Sequence, residues 1–383
     1  MLQGSGVNCC DDGKSLPEVS TFGAKTMRIL ISGICGFVGS ELALGLRLGG
    51  HAVCGFDNFS RPGSELNVPR LEAVGVEFSS GDVRFEKDLA RWRDVDWVID
   101  AAANPSVLAG VDGKTSSREL LEHNLWGTIN LLELCKRERS GMVLLSTSRV
   151  YSIGALCSLP VVEKDEAFVL VDSRINAGPK GVTEDFSTAA PISLYGASKL
   201  ASEQVALEYG SAFGFPVWVN RCGVMAGAGQ FGKADQGIFS FWIHSWAHQA
   251  PLKYIGFGGS GHQVRDCLHP QDLLSLVLKQ IEYSAGATRS VNKPDDRIVN
   301  VSGGVESAMS LKQLSAWCAE QFGRREVSVD LSPRPFDLPW VVLDSSRAER
   351  LWDWKPQRAV QNICAEIATH AREHPEWLRV SAG

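Results

Sequence analysis

Tyr195 and Lys199 lie four residues apart in Ser193-Leu194-Tyr195-Gly196-Ala197-Ser198-Lys199, a spacing that puts both on one helix face. An ammonium beside a phenol favours phenolate and lowers a tyrosine pKa from its ordinary value of about 10. Tyr195 is therefore a candidate general base, able to take a proton from a hydroxyl as a hydride leaves the same carbon. The pair alone is weak, because Tyr-x-x-x-Lys is frequent on solvated helix faces. What surrounds it decides the matter.

Two further groups lie upstream. Thr147 ends an apolar run, Met142 to Leu145, that reads as a buried strand. Strand ends are where open α/β sheets bind ligands, and the Thr147 hydroxyl can bond the oxygen that Tyr195 deprotonates. Gly33-Ile34-Cys35-Gly36-Phe37-Val38-Gly39 follows the β-rich run Arg28 to Ser32 and opens a helical stretch. Its glycines permit a tight turn and close approach of backbone to a pyrophosphate at the helix N-terminus. Asp57 ends the next strand, placed to bond both hydroxyls of an adenine ribose and to repel a 2′-phosphate, which favours NAD over NADP. Arg61 stands against that reading, since a nearby arginine tolerates such a phosphate. Ala101, Ala102 and Ala103 end a fourth strand and are small enough for a cofactor to pass closely.

These groups need elements to hold them. Strands are expected at Arg28 to Ser32, Ala52 to Phe56, Val76 to Ser79, Val95 to Asp100, Met142 to Leu145 and Val217 to Asn220, alternating with helices. That alternation implies a Rossmann-type, doubly wound parallel α/β sheet. Residues 161–190 break the pattern and read as a polar loop over the carboxyl edge of the sheet. The expected organisation is a flexible extension over 1–26, an NAD-binding domain over 27–222 and a mainly substrate-binding domain over 223–383. About 264–302 is expected to return to the first domain, because Asp272 to Tyr283 reads as a helix packing on the main sheet.

Composition narrows the class. The chain has 383 residues, 44% hydrophobic and 21% charged, ordinary values for a soluble globular protein. A net charge of −6 and the lack of any basic run argue against nucleic acid as a partner. No stretch has the apolar length of a membrane span, and residues 1–26 lack the features of a signal peptide. The ten cysteines are scattered apart from Cys9-Cys10, without metal-ligand spacing. They read as reduced thiols of a cytoplasmic protein, and no metal is expected.

Taken together, the chain resembles the extended short-chain dehydrogenase/reductase family of nucleotide-sugar epimerases and dehydratases. The resemblance runs from Met27 to Pro356. It rests on the glycine fingerprint, Asp57-Asn58, Gly81-Asp82-Val83-Arg84, Ser146-Thr147, Tyr195-x-x-x-Lys199, Arg265-Asp266 with His269 and Asp272, and Arg334-Pro335-Phe336-Asp337 with Asp344 and Trp354-Lys355-Pro356. It implies tightly held NAD, a nucleotide-sugar substrate and a homo-oligomer. It also implies that Cys35, Phe37, Val38, Asn58, Ser60, Arg61, Asp82 and Val83 join the glycines, Asp57 and Ala101–Ala103 around the cofactor, with Tyr195 and Lys199. Asn104, Arg265, Arg334 and Asp337 fall on the substrate side, the two arginines gripping a diphosphate.

Phe56 to Arg61, Asp235-Gln236-Gly237 and Gly261 to Asp266 are most similar to the branch acting at C2 of CDP-linked dideoxy sugars. A UDP-sugar 4-epimerase of the same family, a net oxidoreductase and a non-catalytic NAD-sensing protein are the rival readings. Ser148-Arg149 stands where 4,6-dehydratases carry an Asp-Glu pair, so the acid and base that water elimination needs are missing. Arg221-Cys222-Gly223-Val224 also lacks the asparagine that many relatives carry. Arg149 has no assigned role, and His262 and His269 read as structural.

Overall fold

The structure is a computed structural model that describes residues 26–113, 116–174, 176–283 and 294–382. The extension expected over 1–26 therefore lies, Thr26 apart, outside the described residues. Seven strands form one sheet: β1 (Arg28–Ser32), β2 (Ala52–Asp57), β3 (Glu77–Ser80), β4 (Trp97–Asp100), β5 (Gly141–Thr147), β6 (Val217–Cys222) and β7 (Ile298–Val301). Their order is β7-β6-β5-β4-β1-β2-β3, every pairing parallel. The chain runs outward from β1 through β2 and β3, then returns to β1's other side with β4. That reversal opens a crevice at the carboxyl ends of β1 and β4.

Side chains alternate across this sheet, as strand geometry requires. Ile29, Ile31, Val53, Ile99 and Val143 face α1 (Phe37–Leu48) and, further along the chain, a helix at Pro270–Tyr283. Leu30, Cys54, Val98, Met142 and Leu144 face α2 (Gly127–Glu138) and α3 (Ser193–Phe213). Burial on both faces explains why the strands read as near-continuous apolar runs. Each fully buried Leu or Ile contributes on the order of 1.5–3 kcal/mol.

A smaller sheet combines Val224–Met225, Val264–Leu268, Ala308–Ser310 and Trp340–Val341. It lies beside a third core in which Phe239, Trp242, Ile243 and Trp246 of α4 (Ile238–Ala247) meet Leu314, Cys318, Ile363 and Ile367. The tryptophan-rich stretch is thus packing material. Residues 161–190 are not the featureless loop the sequence suggests: Val161–Lys164 pairs with Ala167–Leu170, and Ala177–Gly178 with Gly181–Val182. The first hairpin turns through Asp165 and Glu166 at positive φ, which favours Gly or Asn, so no turn signal marks it. Tertiary contacts fix it instead, Phe168 N–H donating to His262 O at 2.8 Å. No helix among the described residues is long and apolar enough to cross a membrane.

Candidate active site

The turn after β1 is cut to glycine. Gly33 has φ 65°, and a Cβ there would lie 2.9 Å from Ala102 Cα. At Gly39 a Cβ would sit 2.2 Å from Gly33 O, so the first turn of α1 closes directly against the loop. Asp57 at the end of β2 accepts from the Cys35 N–H at 3.0 Å and the Phe59 N–H at 2.8 Å. Burial pushes this carboxyl up while those backbone donors oppose it, and its direction is fixed.

In front lies a cavity of about 470 Å³ whose wall includes Gly33, Gly36, Asp57, Asn58, Ser60 and Arg61, with Val83 and Ala101–Asn104 opposite. Asn104 lines this cavity too, its N–H tied to Asn124 Oδ1 at 2.8 Å. Cys35, Phe37, Val38, Gly39 and Asp82 are not among the residues lining it. Asp82 is engaged by Asn58 at 3.0 Å and Arg84 at 2.8 Å; burial opposes its charge, but these donors hold it at about 2.

The residues fit NAD. The glycine cradle leaves room for a pyrophosphate, Asp57 lines the cavity at the end of β2, and Arg61 Nη2 is buried without a partner among the described residues. Arg61 Nη1 is committed to Gln236 Oε1 at 2.8 Å.

Tyr195 and Lys199 lie on α3 and Thr147 ends β5, all at the carboxyl edge of the sheet. Thr147 bonds the Tyr195 hydroxyl, which helps the charged form. Burial nevertheless pushes the phenol up to about 12, reinforced by Cys222 and opposed by Thr147 and the Arg149 cation. This corrects the expectation from spacing: the cation acting on the phenol is Arg149, not Lys199. Lys199 is fully buried instead beside Asp100, Glu203 and Cys222; burial pushes its ammonium down and the two carboxylates support it.

A second cavity, about 130 Å³, holds Arg149, Arg265, Arg334 and Asp337. Arg265 pairs with Asp337 at 3.2 Å and donates to Val264 O and Leu338 O, both at 2.8 Å. Arg334 donates to Ala234 O at 2.9 Å. Asp337 Oδ2 is buried and unpartnered among the described residues, an acceptor placed for a ligand hydroxyl. Asp235 and Gln236 line both cavities, and Asp235 also accepts from Ser106 Oγ at 2.8 Å.

Sequence reasoning passed over several residues that shape this site. Asn124 sits in a π-helical turn, Glu122–Trp126, and bridges Asn104 O and Ser198 Oγ, both at 3.1 Å, tying the β4 loop to the helix of Tyr195. Nothing in the spacing around Asn124 marks the bulge. Asp100 accepts from Ser32 at 2.9 Å and Thr128 at 2.7 Å under the same edge. His262 and His269 are structural: His262 packs on Phe168, and His269 meets Glu366 at 3.2 Å. No group of His, Cys, Asp and Glu among the described residues is arranged to hold a metal.

The family described as NAD dependent epimerase/dehydratase matches residues 29–292. The chain is 30% identical to CDP-paratose 2-epimerase of Salmonella typhi over 344 residues, 86% of this chain and 95% of that protein. It is 26% identical to a putative UDP-glucose 4-epimerase of Methanocaldococcus jannaschii, over 86% of this chain and 93% of the other. Among solved structures, the Thermus thermophilus UDP-glucose 4-epimerase complex with NAD superposes with a TM-score of 0.70 at 26% identity, covering 90% of this chain and 99% of that one.

Proposed function

The chain belongs to the NAD dependent epimerase/dehydratase family, and we propose that within it the protein inverts C2 of a CDP-linked dideoxy sugar. It is an NAD-dependent isomerase of the nucleotide-sugar epimerase group. One observation supports the epimerase chemistry: Thr147 bonds the Tyr195 hydroxyl at the sheet edge, and Ser148 and Arg149 follow with no second acid–base pair. The choice of C2 and of CDP is supported by the likeness to CDP-paratose 2-epimerase across nearly that protein's whole length. A 4-epimerase acting on a UDP-sugar is the second reading, favoured by the archaeal relative.

In the proposed mechanism Tyr195 Oη removes the proton of the C2 hydroxyl, and Thr147 Oγ1 bonds the same oxygen. Bound NAD supplies the two-electron acceptor that makes the carbon a ketone and later reverses this. Arg149 supports charge at the phenol, and Lys199 would hold the cofactor ribose. The planar keto sugar then presents its other face, and Tyr195 returns the proton. Gly33, Gly36, Gly39 and Asp57 would hold the cofactor on residues 27–222, while on 223–383 Arg265 and Arg334 hold the nucleotide diphosphate and Asp337 accepts from a substrate hydroxyl. A cytoplasmic setting belongs to this reading, consistent with eight unpaired thiols among the described residues, and so does a homo-oligomer.

Incubation with a panel of CDP-, UDP- and dTDP-sugars, with products resolved by NMR, tests the assignment. Inversion at C2 of a CDP-sugar is expected. Inversion only at C4 of a UDP-hexose would overturn it and promote the second reading.

A further inference from the structure

We propose that Arg149 is a third anchor for the substrate diphosphate, gripping the phosphoryl group next to the sugar and so setting where the sugar lies against Tyr195. This rests on the nucleotide-sugar reading and names a residue that reading leaves without a task. The turn after β5 carries both groups: the Arg149 N–H donates to Thr147 Oγ1 at 3.2 Å, so Thr147 and Arg149 are positioned as one unit. The helix of Tyr195 is pressed onto the same turn, since a Cβ at Gly196 would lie 2.2 Å from Arg149 O. From this fixed backbone the Arg149 side chain enters the cavity of Arg265 and Arg334.

The three guanidinium groups there are not equally engaged. Arg265 is held by Asp337 and two carbonyls, and Arg334 by Ala234 O. Arg149 has one hydrogen bond, Nη1 to Phe336 O at 3.1 Å, and no carboxylate at ion-pair distance among the described residues. A partly buried cation without an anion is costly, and two further cations close by add to that cost. Arg265 and Arg334 do push the Arg149 guanidinium down, second to burial itself, while Asp337 and Tyr195 act the other way. A diphosphate delivers the missing negative charge, and a guanidinium fork matches its geometry. Because Arg149 shares its turn with Thr147 and that turn abuts the helix of Tyr195, the group it grips lies on the sugar side of the diphosphate.

The test titrates the NAD-loaded full chain with CDP, CMP, UDP and UMP, comparing the wild type with Arg149→Gln. Glutamine keeps a polar side chain but carries no charge; Arg149→Met serves should that variant not fold. The wild type should bind a diphosphate more tightly than the matching monophosphate. Arg149→Gln should lose about 10–100-fold of that preference, the scale of hydrogen bonds to charged groups, with monophosphate affinity and NAD content unchanged. An intact preference in a folded, NAD-loaded variant overturns the proposal, even if that variant discriminates against sugars bearing a carboxylate. Absence of any nucleotide binding by the wild type would remove the nucleotide-sugar reading along with it.

Discussion

Replacing Tyr195 by phenylalanine should lower turnover by about 10²–10⁴-fold, the usual consequence of losing a general base. The substitution removes one oxygen from a ring that is 7% exposed, so packing and NAD content should be preserved. The lost oxygen is the proton acceptor on which Thr147 and Arg149 both act. The phenol, pushed up to about 12 by burial, is protonated at neutral pH and must be assisted to act. Rate should therefore rise with pH until the assisted phenol is ionised, and Tyr195→Phe should abolish that dependence. A variant that keeps near-normal turnover with a normal circular dichroism spectrum would remove Tyr195 from the mechanism.

The largest expected loss of stability comes from a different set of residues. Arg221→Met should destabilise the fold by about 3–5 kcal/mol, because it leaves a buried carboxylate without its cation. Glu203 is 0% exposed, and Arg221 reaches both its oxygens, Nη2 at 2.7 Å and Nε at 3.1 and 3.2 Å. Arg221 also donates to Glu184 O at 3.0 Å and lies over the Tyr151 ring at 5.2 Å. Ser146, beside Thr147, donates to the same Glu203 at 2.5 Å, so the damage reaches the active site as well. Urea denaturation of Arg221→Met and of the double variant Arg221→Met with Glu203→Leu checks this. The double variant should recover part of the loss, since no carboxylate is left facing the missing guanidinium while Lys199 keeps Asp100; equal losses in both would show that packing, not charge, is at stake.

The parts of this site that sequence made legible are those whose chemistry is local. The Gly33–Gly39 turn, Asp57 at a strand end and the four-residue step from Tyr195 to Lys199 each carry their geometry in their spacing. The long parallel strands were legible for the same reason, being apolar runs between helices. What escaped depends on contacts distant in sequence. Arg149 acquires its surroundings only when residues 265 and 334–337 fold beside it, and Phe336 is 187 residues away. The Asn124 bulge is invisible until Asn104 and Ser198 are in place. The sign of the Tyr195 shift was missed because spacing reports the neighbouring cation and not burial, and burial dominates here.

The central claim is direct, reversible oxidation at the inverted carbon. It is tested most directly by incubating the protein with CDP-paratose, the sugar nucleotide named for the Salmonella typhi relative, in deuterated water and reading C2 by NMR. The reacting carbon must lie within about 3–3.5 Å of the groups that act on it, in a site closed to solvent exchange. Inversion at C2 with the original hydrogen retained is the predicted result. Solvent deuterium at C2 would contradict it, because it would mean deprotonation beside a C3 ketone instead.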